Sequence, residues 1–226
     1  MFSIVIPLFN EEKNIVNLIN EIRDKLFKYN NYEIILVNDA STDSTLKVIK
    51  NIKKENILIL DNIINKGQSF SIKEGIKFSS NETIITLDGD GQNDPGDINK
   101  LLNIYINNPD IKMVGGIRSK RKDSIIKVIS SKLANYFRSR ILNDGCKDTG
   151  CSLKVFDKNI FLEFPYFDGI HRFLPALFKG FGYKTFFVEV NHRKREFGVS
   201  KYGTLNRFFK GIRDIIKVNS IIKKRL

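Results

Sequence analysis

Asp88 and Asp90 stand one glycine apart at the end of the apolar run Thr83-Ile84-Ile85-Thr86-Leu87. A β-branched run of that length fits a strand covered on both faces, and its carboxyl end is where open α/β sheets bind ligands. Two carboxylates held so close repel unless positive charge lies between them. A hard divalent cation, Mg²⁺ or Mn²⁺, with a diphosphate on its far side meets that need. Asp-Gly-Asp-Gly is also good turn chemistry, so an acidic turn accounts for the same residues taken alone.

Other polar groups fall at neighbouring strand ends. Asp39, in Asn38-Asp39-Ala40-Ser41-Thr42-Asp43, follows a second apolar run and precedes the capping position of the next helix. A side chain there faces the crevice and suits the hydrogen-bond donors of a base or ribose, whereas Ser41 or Asp43 suits a helix cap. The first run ends in Asn10-Glu11-Glu12, where Glu12 reads as a helix start. Gly67, in Asn65-Lys66-Gly67, permits either close backbone approach to a ligand or a plain turn. Residues 191–203 combine Arg193, Lys194, Arg195 and Lys201 with Gly198, Ser200, Tyr202 and Gly203. That composition reads as a loop closing over an anion or as a solvated basic loop. There is no G-x-G-x-x-G and no G-x-x-x-x-G-K-[ST], which argues against a dinucleotide oxidoreductase or a P-loop ATPase.

The elements that must position these groups follow from hydrophobic period. Strands are predicted over 2–6, 33–38, 56–60 and 83–87, alternating with helices over 11–29, 43–54 and 68–79. This βαβ repetition implies an α/β fold with a mostly parallel central sheet flanked by helices. After Pro95 a helix of about a dozen residues leads to a strand near 112–117. A helix near 124–142, a strand near 152–156, a helix near 171–179, a strand near 184–190 and a closing helix over 204–223 complete the expectation. In the last, Leu205, Phe208, Phe209, Ile212, Ile215, Ile216 and Ile222 form a stripe among basic residues, suited to a membrane interface or to covering a core.

The 226 residues suffice for one well-packed domain, and no low-complexity linker divides them. Two cysteines, Cys146 and Cys151, make no disulfide framework, and two histidines, His171 and His192, complete no zinc site of common spacing, so any metal is held by oxygen. With neither a basic leader nor a long apolar run, the expected location is the cytosol. Charge is uneven: residues 1–113 carry 13 Lys+Arg against 16 Asp+Glu, and residues 114–226 carry 25 against 9. The basic half calls for an anionic partner: nucleic acid, an anionic membrane surface or a phosphorylated substrate.

Taken together the motifs resemble those of the family 2 glycosyltransferases, and within them the polyprenyl-phosphate sugar transferases of the dolichyl-phosphate mannose synthase type. Ile4-Val5-Ile6-Pro7-Leu8-Phe9-Asn10-Glu11-Glu12 is similar to the family's P-x-[YF]-N-E opening. Val37 to Asp43 resembles D-D-x-S-x-D with Asn38 in place of the first Asp, and Asp88 to Pro95 resembles D-x-D-x-Q-x-x-P. Gly116-Ile117-Arg118, Ser131 to Asn135, Asp148 to Lys154 and Arg195 to Lys201 resemble the acceptor-side elements G-S-R, S-R-x-A-N, D-[TQ]-[TG]-x-x-x-K and R-x-x-G-x-S-K. Lys132 stands where arginine is usual, which removes a bidentate phosphate contact.

The resemblance implies a GT-A fold in residues 1–203, with a nucleotide-sugar half over 1–113 and an acceptor half over 114–203, followed by a basic amphipathic helix over 204–226. It places Pro7, Glu11, Asp39, Gly67 and Asp88 around the donor, with Asp88, Asp90 and Gln92 on Mg²⁺ or Mn²⁺. Arg118, Lys132, Arg195, Ser200 and Lys201 fall around an acceptor phosphate. Asp90 and Asp148 are the catalytic candidates, Asp148 either orienting or deprotonating the acceptor or pairing with a nearby cation. The expected function is inverting, metal-dependent transfer from a UDP- or GDP-sugar to polyprenyl phosphate at the cytoplasmic membrane face. The chain would dock there peripherally, alone or beside a separate integral membrane partner. A saccharide or protein hydroxyl acceptor is the nearer alternative. A nucleic-acid-binding module is the more distant one, opposed by the acidic first half and by the lack of interleaved aromatics, so no nucleic-acid partner is expected.

Overall fold

The computed structural model describes residues 1–53, 55–119, 138–195 and 204–225, with the backbone alone over 204–210. Its elements run β1 (Phe2–Leu8), α1 (Ile15–Lys25), β2 (Tyr32–Asp39), α2 (Thr45–Lys50), β3 (Ile57–Asn62), α3 (Gln68–Phe78), β4 (Thr83–Thr86), α4 (Asp97–Asn107), β5 (Ile111–Arg118), β6 (Lys154–Asp157), α5 (Lys158–Glu163), α6 (Ile170–Gly180), β7 (Lys184–Val190) and α7 (Thr204–Lys223). The strands form one seven-stranded sheet in the order β3-β2-β1-β4-β6-β5-β7 among the described residues. Every pairing is parallel except those of β6, which runs antiparallel to both β4 and β5.

Alternation sorts the side chains of β1 and β2 to the two faces of the sheet. Ile4, Ile6, Leu8, Ile34 and Leu36 meet Ile15, Leu18, Ile19 and Ile22 of α1 and Leu101 and Leu102 of α4. Val5, Ile35 and Val37 point the other way, onto Ile72 and Ile76 of α3 and Phe173, Leu177 and Phe178 of α6. Both strands are therefore buried on both faces, as their unbroken apolar runs require. Sheet order reverses at β1, with β2 on one side and β4 on the other, and open α/β sheets place their crevice at such a reversal.

One helix start differs from the sequence expectation and one helix is additional to it. Helix α1 begins at Ile15 rather than 11, because Asn10 takes a left-handed φ of 57° and the amides of Asn14 and Ile15 both donate to the Glu11 carbonyl. Glu11 thus sits on a loop at the sheet edge instead of inside a helix. Helix α5 was not expected; Asp157 caps it by accepting from the amides of Asn159 and Ile160. Of the helix expected over 124–142 only 138–142 is described, and those residues are helical.

Helix α7 divides its apolar residues between two duties. Val218 is buried, and Ile215, Ile221 and Ile222 pack on the second core, while Asp214 accepts from Arg172 of α6 at 2.8 Å. Ile212 and Ile216 face outward, 43% and 66% exposed, beside exposed Arg213 and Lys217. No described helix is long and apolar enough to cross a membrane.

Candidate active site

The loops after β1 and β2 are clasped together, which fixes the crevice floor. Asn10 exchanges hydrogen bonds with Ser41 and Thr42, the Glu11 amide donates to Thr45 Oγ1 at 2.8 Å, and Glu12 accepts from the Ser44 amide at 2.8 Å. Glu12 therefore caps α2 across the clasp rather than starting its own helix. Asn38 donates to Asp61 Oδ1 at 2.7 Å. A carboxylate at position 38 would face that of Asp61, so the departure from the family pattern removes a like-charge contact.

Asp39 is almost fully buried and accepts from the backbone amides of Lys66 and Gly67 at 3.0 and 2.7 Å and from Asn62 Nδ2 at 2.9 Å. Gly67 has φ 86° and ψ 161°, a conformation essentially reserved to glycine, and this turns its amide onto the carboxylate. The next residue, Gln68, donates from Nε2 to Asp88 Oδ1 at 2.7 Å. Consecutive residues at the start of α3 thus bond Asp39 on one side and Asp88 on the other, so the two carboxylates border one crevice.

Gly89 lies against the end of β1. A Cβ there would overlap Leu8 Cδ2 and sit 3.4 Å from the Pro7 carbonyl oxygen, so glycine lets Asp88 and Asp90 flank this contact without displacing the buried Leu8 side chain. Burial, and then the neighbouring Asp90 charge, push the Asp88 carboxyl up to about 6, although Ser152, Lys154 and Arg118 act in the opposite direction. Asp90 Oδ1 accepts from the Gln92 amide at 3.1 Å. Its Oδ2 accepts from Arg195 at 2.8 Å, and Arg195 also reaches Glu11 Oε1 at 3.4 Å.

The remaining expected residues are distributed as follows. Gln92 lies against the segment after β7, its Nε2 3.3 Å from the Arg193 carbonyl and 3.5 Å from His192 Nε2. Arg118 and Asp148 form a bidentate pair, Nε to Oδ2 and a terminal nitrogen to Oδ1, each at 2.7 Å. The pairing with a nearby cation that the sequence leaves open for Asp148 is formed, with Arg118. Lys132, Ser200 and Lys201 lie outside the described residues. Pro7, Glu11, Asp39, Gly67, Asp88, Asp90, Arg118, Asp148 and Arg195 all stand at the carboxyl edge of the parallel strands or on loops bonded to it.

Sequence reasoning missed three contributors. Ser152 Oγ accepts from the Asp88 amide at 3.2 Å and donates to Asn93 Oδ1 at 2.8 Å, tying the loop before β6 to the acidic loop. Lys154 is buried, bonded to the Cys151 carbonyl, and its charge acts on Asp88. Gln68 is the third. A lysine inside an apolar strand was the available signal, because such a residue is rarely buried without a partner.

Among the described residues no three His, Cys, Asp or Glu side chains form a ready metal cluster. What the crevice offers is two hard carboxylates, Asp88 and Asp90, whose mutual repulsion a cation relieves, with the Arg195 guanidinium already held against Asp90. This donor set suits a divalent cation whose remaining ligands come from a diphosphate.

Comparisons with known proteins agree with this architecture. The solved mannosyl-3-phosphoglycerate synthase from Rubrobacter xylanophilus superposes with a TM-score of 0.74 at 14% identity, covering 100% of this chain and 75% of that one. Glucosyl-3-phosphoglycerate synthase from Mycobacterium tuberculosis, crystallised with Mn²⁺, UDP and glucosyl-3-phosphoglycerate, gives 0.71 at 16% identity over 96% and 78%. The fold is of the GT-A type. The sequence model of Glycosyl transferase family 2 matches residues 3–164, and the chain belongs to that family. Dodecaprenyl-phosphate galacturonate synthase of Rhizobium johnstonii is 35% identical over 223 residues, 96% of this chain and 65% of that protein. An undecaprenyl-phosphate 4-deoxy-4-formamido-L-arabinose transferase of Pectobacterium carotovorum is 33% identical over 208 residues, 90% and 63%. The chain spans a little under two thirds of the length of these curated relatives.

Proposed function

We propose that the chain carries an inverting, metal-dependent glycosyltransferase activity that moves a sugar from a UDP- or GDP-sugar to polyprenyl phosphate at the cytoplasmic face of a membrane. The observation that carries this reading is the meeting of Glu11, Asp39, Asp88 and Asp90, from the ends of three different strands, at one crevice bordered by Arg118, Lys154 and Arg195. Asp39 and Pro7, near the end of β1, receive the base and ribose. Asp88, Asp90 and Gln92 would hold Mg²⁺ or Mn²⁺. When bound, the metal supplies Lewis-acid stabilisation to the departing nucleoside diphosphate.

The state of Asp148 bears on the acceptor. A carboxylate gripped by both arms of a guanidinium is a poor proton acceptor, so a sugar hydroxyl would find no strong base there. A phosphate monoester is largely ionised near neutral pH and attacks without one. Arg118 and Arg195, with Lys132, Ser200 and Lys201, form the anionic acceptor's binding group. The named polyprenyl-phosphate relatives support this choice, as does the excess of basic residues after 113. Family membership favours this reading over a nucleic-acid-binding module.

The test is transfer of label from nucleotide sugars in the presence of Mn²⁺ and short-chain polyprenyl phosphate. Label should pass to the organic phase only when the lipid phosphate is present, and Asp90→Asn should remove it. Transfer to saccharide or protein hydroxyls, with none to polyprenyl phosphate, would overturn the acceptor assignment.

A further inference from the structure

Arg195 occupies a position that its expected task does not explain. A residue destined for an acceptor phosphate is instead held by two acidic groups of the donor side, Asp90 Oδ2 at 2.8 Å and Glu11 Oε1 at 3.4 Å. The three side chains are all largely buried, at 23%, 11% and 9% exposure. Burial keeps solvent and salt from screening the contact as they would screen a surface pair.

The segment bearing Arg195 is fixed just before it. The Asn191 amide donates to Asp97 at 2.6 Å, His192 forms a β-bridge with Asn93, and the Arg193 amide donates to the Gln92 carbonyl at 2.8 Å. The Arg193 guanidinium holds both oxygens of Glu21 and also reaches Asp94 at 3.1 Å. These anchors lie on Gln92, Asn93 and Asp94 of the loop that continues from Asp90, on Asp97 at the start of α4 and on Glu21 of α1, so they deliver Arg195 to the crevice whether or not a ligand is there. The counter-charge shared by Asp90 and Glu11 in the resting protein is thus a guanidinium, a cation that does not leave by losing a proton.

From this geometry we infer that Arg195 is the resident counter-ion of the donor metal seat: guanidinium and divalent cation compete for Asp90, and metal entry releases Arg195. The inference rests on the reading of Asp88 and Asp90 as that seat, and adds that the chain's own cation holds it beforehand. Arg195 acts here as a positioning residue. It keeps Asp90 and Glu11 together in the absence of metal and weakens metal binding by the strength of the contact it gives up.

The experiment is titration of the full chain with Mn²⁺ alone, without nucleotide or lipid, reading free Mn²⁺ by electron paramagnetic resonance. Arg195→Gln and Arg195→Met should each bind Mn²⁺ about fivefold or more tightly than the wild type, the scale of one partly buried ion pair. Equal or weaker binding by variants that keep the wild-type circular dichroism overturns the inference. A measurement on the unaltered chain guards against misfolded variants: Mn²⁺ should accelerate tryptic cleavage after Arg195 but not after Arg193, and a rate indifferent to Mn²⁺ overturns it too. Asp90→Asn separates the two levels of the argument. If Mn²⁺ binds that variant as it binds the wild type, the metal seat itself is misplaced and both readings fall. If Asp90→Asn loses Mn²⁺ and the Arg195 variants gain nothing, only the counter-ion role falls.

Discussion

Asp88 holds its charge at a cost. Its carboxyl ordinarily titrates at 3.8 and is raised to about 6 by burial and by Asp90, so the folded protein binds this proton more tightly than the unfolded chain does. The stability contributed by that proton is therefore complete below 3.8 and is lost as pH rises through about 6. Asp88→Asn keeps an acceptor for Gln68 without the charge. In the free protein it should match the wild type near pH 3.8, gain between there and about 6, and hold a constant advantage above. That advantage is on the order of 1–2 kcal/mol, less than the bare shift converts to because Asp88 is partly open to solvent. Thermal unfolding across this range checks it, and a wild type equally stable or more stable at pH 8 would count against the account. Asp148 gives the complementary case. Its pair with Arg118 is largely buried, 13% and 7% exposed, so Asp148→Asn should cost about 3 kcal/mol by leaving the guanidinium uncompensated. A carboxylate kept free to serve as a base would cost almost nothing to replace, and urea unfolding distinguishes the two. Asp88, Asp90 and Asp39 were legible in the sequence because each ends an apolar run. Gln68 and Ser152 were not, because their contacts with Asp88 depend on how α3 and the loop before β6 sit beside β4, which no local spacing encodes.

At the scale of elements, the β-branched runs and their alternation with amphipathic stretches disclosed β1 to β4 and α1 to α4 nearly in full. The direction of β6 was hidden, since side-chain period is the same whichever way a strand runs. That antiparallel strand matters, for it brings Ser152 and Lys154 beneath the acidic loop. Helix α5 escaped notice because six residues are too few for a helical period, although Asp157 followed by Asn159 and Ile160 held the capping signal. The closing helix was read as one apolar stripe, and the fold splits it. Val218, Ile215, Ile221 and Ile222 belong to the core, so deleting 204–226 would disturb the domain, whereas Ile212 and Ile216 with Arg213 and Lys217 make an outward face. Membrane docking is better tested by substituting that face. Anionic liposomes at low salt should float the wild type, and Arg213→Gln with Lys217→Gln should weaken flotation severalfold without lowering thermal stability, each basic residue near the surface contributing about 1 kcal/mol. Flotation equal in both would place the membrane contact elsewhere or nowhere on α7.

For the molecule as a whole, the uneven charge has a structural counterpart. Acidic side chains gather at the ends of β1, β2 and β4, and the cations that face them come from beyond residue 113: Arg118, Lys154 and Arg195. The β4–β6 pairing joins residues before and after 113 in one sheet, so the acidic strand ends and these cations belong to a single packed unit. Carboxylates from separate strands should act together on one nucleotide diphosphate. Thermal shift with UDP, GDP and their sugars, with and without Mn²⁺, tests this on the wild type, Asp39→Asn and Asp90→Asn. One nucleotide series should stabilise the wild type only with Mn²⁺, by about 2.7 kcal/mol at a hundred times its dissociation constant. Either substitution should abolish most of that gain. A flat response to every compound, or a gain untouched by both substitutions, would contradict this.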